Sequence, residues 1–123
     1  MIPIVIIGAG MAGMACARQL ADAGHASVVL GKGRGIGGRV ATRRVGDLQF
    51  DHGAQYVNAR GAGFAAVLGG LSVAGWQDGA GRTHRVGVPG MSAIPKALGA
   101  GLDIRQAVQV SRVQQDGDGW VLY

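Results

Sequence analysis

The chain opens on an unbroken aliphatic run, Ile4-Val5-Ile6-Ile7, that ends at a glycine. Such a run, with no polar alternation, predicts a strand buried on both faces of a parallel sheet. Gly8-Ala9-Gly10-Met11-Ala12-Gly13 follows and opens a helical stretch that continues through Arg18 and Leu20 to Ala23, with Gly24 placed as its stop. Ala26-Ser27-Val28-Val29-Leu30 predicts the second strand. Strand, tight turn, helix and strand in about 30 residues make a βαβ unit.

Beyond Leu30 the pattern changes. Residues 31–44 are rich in glycine and arginine with no hydrophobic period, which predicts a loop holding at most a short helical turn. Leu48-Gln49-Phe50 predicts a short strand, Phe64 to Leu68 a helix ended by Gly69 and Gly70, and the surroundings of Trp76 irregular chain or a short strand. Ser92 is placed to cap a helix running to Leu98, with Pro95 tolerated in the first turn. Residues 103–106 and 108–113 read as extended, and Asp116-Gly117-Asp118-Gly119 turns the chain into Trp120-Val121-Leu122-Tyr123 as a hairpin. No repeat interrupts this order. Residues 1–123 therefore read as one domain, in which 1–44 hold the βαβ unit with its glycine-rich extension and 45–123 the remainder.

Composition narrows the function classes. A chain of 123 residues can hide roughly two-thirds of its unfolded surface, and 48% hydrophobic with 15% charged residues is globular. The net charge is +5, yet Lys32, Arg34, Arg39, Arg43 and Arg44 cluster with no acid between Asp22 and Asp47. That distribution marks a local anion site; no aromatic interleaving, zinc-finger spacing or helix-turn-helix accompanies it, which argues against nucleic acid. One cysteine, Cys16, excludes an intrachain disulfide, and no Cys/His cluster suggests a metal. The apolar start from Ile2 to Ile7 is too short for a signal sequence, and no stretch approaches a membrane span, so the expected location is the cytoplasm with no membrane contact. His25 and His84 read as surface residues, Cys16 as a small buried thiol, and Trp76 and Trp120 as packing residues. Met11 and Met14 belong to the core, with the Met11 backbone near phosphate.

The chemistry concentrates at Gly8, Gly10 and Gly13. This spacing follows a strand and opens a helix, the context a dinucleotide fingerprint requires: Gly8 for the turn, Gly10 for approach of backbone to a diphosphate, Gly13 for close packing of helix on strands. The helix N-terminus then offers amide donors and a positive dipole end to the anion. The acid that normally follows the second strand and binds the ribose is replaced by Gly31. Lys32 and Arg34 beside it leave NADP, with its 2′-phosphate, as the alternative to FAD. A second glycine-rich basic segment at Gly37-Gly38-Arg39 goes beyond what a simple NADP domain needs.

Taken with Phe50-Asp51-His52-Gly53-Ala54-Gln55-Tyr56 and the stretch from Val86 to Leu98, these motifs resemble the amine-oxidase-like FAD flavoproteins, and among them the bacterial renalase-like oxidoreductases. The resemblance implies an α/β, glutathione-reductase-like Rossmann fold, incomplete here and carrying a β-hairpin near its C-terminus. It implies that Gly8, Gly10, Met11, Ala12, Gly13, Gly37, Gly38 and Arg39 hold the FAD diphosphate, with Gly31 and Lys32 beside the ribose. Gly53, Ala54, Gln55 and Tyr56 would approach the flavin ring, and Val110 the adenine through its backbone. Asp51 reads as structural, with His52 an outside candidate near the ring, since neighbours on an extended chain point to opposite faces. The implied reaction is hydride transfer from a reduced nicotinamide dinucleotide or an amine to flavin, with no catalytic residue assigned. Members of the family are much longer and add a substrate-binding domain, which implies a missing C-terminal half or a partner chain. A non-catalytic dinucleotide-binding module and an NADP-dependent reductase are the competing readings.

Overall fold

The computed structural model describes residues 4–123, so the start of the apolar run at Ile2 lies outside the described residues. β1 (Ile4–Ile7), α1 (Met11–Asp22) and β2 (Ser27–Leu30) form the expected βαβ unit. β1 and β2 pair in parallel, Ile4 opposite Ser27 and Ile7 opposite Leu30. The third strand of this sheet arrives late. β7 (Asp103–Arg105) pairs in parallel with the other edge of β2, giving the order β1-β2-β7.

The helix packs on this sheet through one narrow stripe. Met14 and Ala17, three residues apart, are fully buried and join Val29 and Leu98 in the first core cluster. Cys16, next to Ala17 in sequence but off that stripe, is exposed, correcting the expectation of a buried thiol. At the C-terminal end of α1, Arg18 Nε donates to the Leu98 carbonyl at 2.9 Å and its terminal nitrogen donates to the Ala100 carbonyl. These bonds join α1 to α3 (Ala93–Leu98), whose Ile94, Pro95 and Leu98 are buried.

Between β2 and α3 the chain makes two antiparallel hairpins and a helix. β3 (Thr42–Val45) pairs with β4 (Leu48–Asp51) across a Gly46-Asp47 turn, so Arg43 and Arg44 stand on a strand and not in the expected loop. α2 (Ala62–Gly69) ends at the glycine pair as predicted. β5 (Val73–Gln77) then pairs with β6 (Thr83–Gly87), a strand absent from the sequence reading. Leu68, Met91 and Ile94 form a second buried cluster against Val73 and Val86. The chain ends in the expected hairpin of β8 (Val113–Asp116) and β9 (Gly119–Leu122). Residues 106–112 before it are irregular, so of the predicted extended stretch 108–113 only Val113 lies in a strand.

Asp51 holds these pieces together, in keeping with its reading as structural. Its Oδ1 accepts from Thr42 Oγ1 at 2.7 Å and from the Met91 amide at 3.0 Å, while Thr42 Oγ1 accepts from the Ser92 amide at 3.0 Å. Ser92 occupies the N-cap position of α3, but its side chain makes no capping bond.

The burial expected of β1 also fails. Ile4 and Ile7 are 47% and 54% exposed, because β1 is the edge of the sheet and α1 covers one face only. Trp120 is exposed as well, whereas Trp76, though partly exposed, packs its ring against His84 and Tyr56 in keeping with its reading as a packing residue.

Candidate functional site

The turn from β1 into α1 has the geometry the glycine spacing implies. Gly8 has φ +116°, a left-handed conformation open to glycine, and its amide donates to the Leu30 carbonyl at 2.8 Å. A Cβ on Gly13 would overlap the Gly8 carbonyl, so glycine there lets α1 lie directly against the end of β1. The first backbone bond of the helix runs from the Met14 amide to the Gly10 carbonyl at 3.0 Å, and no side chain caps the terminus. The Ala12 and Gly13 amides therefore have no acceptor outside the helix among the described residues. Free amides and the positive end of the helix dipole together favour an anion.

The glycine-rich basic segment closes over this terminus. The Gly37 amide donates to the Ala9 carbonyl at 2.9 Å, and Gly10 and Gly37 form an isolated parallel bridge. Gly37 and Gly38 have φ +126° and +54°, and a short 3₁₀ turn over Gly38–Val40 brings Arg39 alongside. Between the two segments lies a cavity of about 430 Å³ lined by Gly10, Met11, Ala12, Gly37, Gly38, Arg39 and Val40. Arg39 makes no ion pair among the described residues. Arg39 is the one cationic residue of the lining, and a guanidinium offers a fork of donors suited to phosphate oxygens. Val40 was missed in the sequence, where a single valine after Gly-Gly-Arg carries no signal.

Gly53 and Ala54 join this group. The Ala54 amide donates to the Arg39 carbonyl at 2.9 Å, and a Cβ on Gly53 would overlap that same carbonyl. Gln55 and Tyr56 are exposed. Val57 then bridges to Arg85, so Tyr56 stands next to β6.

Gly31 is buried, and its amide donates to the Arg105 carbonyl at 2.9 Å. Lys32 and Arg34 beside it are exposed. The Val108 amide donates to the Gly31 carbonyl at 2.9 Å and the Ala107 amide to the Gly33 carbonyl at 2.9 Å, which runs the 106–112 segment along the end of β2. Val110 lies on this segment, half-buried, and is not part of the cavity wall. His52 is exposed.

His84, expected at the surface, is only 7% exposed. It sits on β6 opposite Trp76, stacked on that ring at 5.2 Å between centroids, with Tyr56 edge-on at 4.7 Å. Its Nε2 bonds Asp78 Oδ2 at 2.8 Å, and the Asn58 amide, in the orientation that satisfies its neighbours, donates to Nδ1 at 2.9 Å. These two partners place the proton on Nε2. The nearby polar residues and glycines masked β6 in the sequence.

Asp78 accepts four bonds: from His84, from the Arg82 guanidinium at 2.7 Å, and from the Ala80 and Arg82 amides at 2.9 and 3.0 Å. The His84 bond, then the Arg82 amide, hold its carboxyl well below its ordinary value of 3.8. A depressed carboxyl stabilises the fold above the ordinary value and loses that contribution as pH falls below it. The gap in urea midpoint between the native chain and Asp78→Asn is therefore expected to be open at pH 7 and to narrow by pH 2.5, read by Trp76 fluorescence in a Trp120→Phe background. An equal gap at both values would refute the role given to Asp78.

Comparison with known proteins agrees with this geometry. The family described as NAD(P)-binding Rossmann-like domain matches residues 6–71. The chain is 52% identical over 44 residues to the L-amino acid oxidase Cdc18 of Crotalus durissus cumanensis, a match covering 36% of this chain and 8% of that protein. It is 38% identical over 56 residues to a protein of Mycobacterium tuberculosis assigned as a flavin-containing monoamine oxidase, covering 46% and 12% respectively. Among solved structures, wild-type putrescine oxidase bound to putrescine superposes with a TM-score of 0.53 at 25% identity, over 68% of this chain and 21% of that one. The chain thus matches a small part of each relative's length. The match over residues 6–71, more than half of the chain and spanning the whole cavity, places this protein in the family of NAD(P)-binding Rossmann-like domains.

Proposed function

We propose that this chain binds FAD by its diphosphate and forms the dinucleotide-binding part of an amine-oxidase-type flavin oxidoreductase, of the renalase-like kind. The observation that carries the reading is the cavity where the uncapped start of α1 meets Gly37, Gly38 and Arg39. Its residues fit the group: amide donors and one guanidinium supply what two linked phosphates need, and the relatives include proteins named for flavin and for amine substrates. FAD, when bound, supplies the ring that accepts hydride from the reduced substrate.

The chain's own contribution is binding and orientation. Ala12 and Gly13 present amides, Arg39 presents its guanidinium, and the Ala54 bond to the Arg39 carbonyl fixes the backbone from which that side chain projects. By the same resemblance, Gly53, Ala54, Gln55 and Tyr56 would approach the flavin ring, and Val110 would touch the adenine through its backbone. The cavity wall holds no titratable group other than Arg39, so no general acid or base is assigned. Amines are the substrate class named in the relatives, and the renalase-like resemblance adds reduced nicotinamide dinucleotides.

Calorimetric titration tests this. FAD is expected to bind more tightly than NADP, and Arg39→Ala is expected to weaken it by about ten- to a hundredfold, the value of a charged hydrogen bond. Tighter binding of NADP, held by Lys32 and Arg34 next to Gly31, would overturn the ranking. Restoring the ribose acid needs two changes, because a Cβ at Gly31 would lie 2.8 Å from the Ala9 Cβ. Gly31→Glu should therefore tighten FAD only in the presence of Ala9→Gly.

A further inference from the structure

We propose that His84 and Asn58 form a proton-operated latch, which fastens residues 54–58 to the β5–β6 hairpin while the imidazole is neutral and releases them when the ring takes a second proton.

The latch joins a buried ring to an exposed amide. His84 is 7% exposed, packed between Trp76 and Tyr56, whereas Asn58 stands at the surface. The Asn58 NH2 group meets three acceptors: His84 Nδ1 at 2.9 Å, and the Thr83 and Val57 carbonyls, each at 3.1 Å. An amide nitrogen donates and never accepts, so this arrangement requires a lone pair on Nδ1. Next to it the Val57 amide donates to the Arg85 carbonyl at 2.7 Å and the Arg85 amide to the Val57 carbonyl at 2.9 Å. Asn58 thus reinforces the bridge by which residues 54–58 are held on β6.

A second proton turns Nδ1 into a donor, and two donors then face each other. Turning the amide over repairs that contact but sets its oxygen against the Thr83 and Val57 carbonyls. Neither orientation satisfies all the groups around it, so Asn58 gives up its bonds for water, which reaches it directly.

Asp78 keeps the added proton on the ring. Its carboxylate bonds Nε2 at 2.8 Å. The bonds from His84 and from the Arg82 amide hold its carboxyl well below the ordinary value, so it stays charged throughout the range in which histidine titrates. Arg82 lies on the same carboxylate at 2.7 Å and is largely exposed, so solvent screens its repulsion of an imidazolium. Tyr56 is edge-on to the ring, and Arg85, the next residue of β6, projects from the opposite face of the hairpin. The closed latch holds one proton fewer than the open one, so acid favours opening. At the other end of the same segment the Ala54 amide holds the Arg39 carbonyl, which links the latch to the diphosphate cavity.

NMR of the ¹⁵N-labelled chain alone tests this, so its failure leaves the FAD reading untouched. The His84 ring nitrogens follow the proton, and amide exchange follows the latch. As the ring gains its second proton between about pH 8 and pH 5, the protection of the Val57 and Arg85 amides should fall at least about tenfold while that of Val28 and Val29 holds. Asn58→Ala has no latch to open, and its Val57 and Arg85 protection should be low and level across the range. Asn58→Asp gives the charged ring an acceptor, and its protection at the acid end should exceed that of the native chain. A ring still neutral at about pH 5, protection that stays level while the ring titrates, or an equal fall at Val28 and Val29 would overturn the latch. A fall that persists in Asn58→Ala, or Asn58→Asp no better protected than the native chain in acid, would overturn it equally.

Discussion

Gly13→Ala should destabilise the chain by about 3 kcal/mol, the upper end of the usual cost of overpacking. The new methyl group would meet backbone: it overlaps the Gly8 carbonyl oxygen and lies 3.1 Å from the carbonyl carbon. Neither atom can rotate away, so α1 must lift from β1. Elsewhere in a helix the same change gains up to about 1 kcal/mol from backbone propensity. Gly63 in α2, whose Cβ would meet nothing within 4 Å, supplies that control. Against a total stability of roughly 5–15 kcal/mol, the Gly13 change should lower the urea midpoint sharply and abolish cofactor binding, while Gly63→Ala leaves the midpoint equal or higher. Equal midpoints for the two variants would mean that α1 does not touch β1 as described.

The second large effect falls on binding. Gly53→Ala should weaken FAD by at least about tenfold, the loss of roughly one charged hydrogen bond, while costing less stability than Gly13→Ala. A Cβ at 53 overlaps the Arg39 carbonyl oxygen and lies 2.9 Å from its carbon, so the Arg39 backbone must move and the Ala54 amide loses its acceptor. Arg39 sits in a short 3₁₀ turn between segments, which can shift where the β1–α1 junction cannot. Calorimetry on Gly53→Ala and Arg39→Ala, singly and together, checks this: if Gly53 acts through Arg39, the double variant binds little worse than Arg39→Ala. Fully additive losses would place Gly53 in a separate role.

The part of the site legible in the sequence is the part where a residue type has a single structural reason. Gly8, Gly10 and Gly13 were readable because strand, turn and helix flank them, and Gly37-Gly38-Arg39 because glycines beside an arginine have few other uses. Gly53 emerged only by resemblance, since its close approach to Arg39 is a contact across 14 residues that no local pattern records. His84 was misread because a histidine among Arg82, Thr83 and Arg85 looks solvated; its burial depends on Trp76 and Tyr56, which arrive from two other segments. The β1 run was read as buried on both faces from its side chains alone. The number of neighbours a strand has is a property of the whole sheet, and the sequence of one strand does not contain it.

The late arrival of β7 bears on how this molecule is made. Val28 and Val29 find their partners in Asp103 and Ile104, so 72 residues, 31–102, intervene before the parallel sheet gains its third member. Pairing at such separation closes a long loop before any contact rewards it, which slows folding. During synthesis the β1-α1-β2 unit must wait for its third strand until residue 105 has left the ribosome. A chaperone that shields this segment should raise the soluble yield more than it raises the stability of the finished protein.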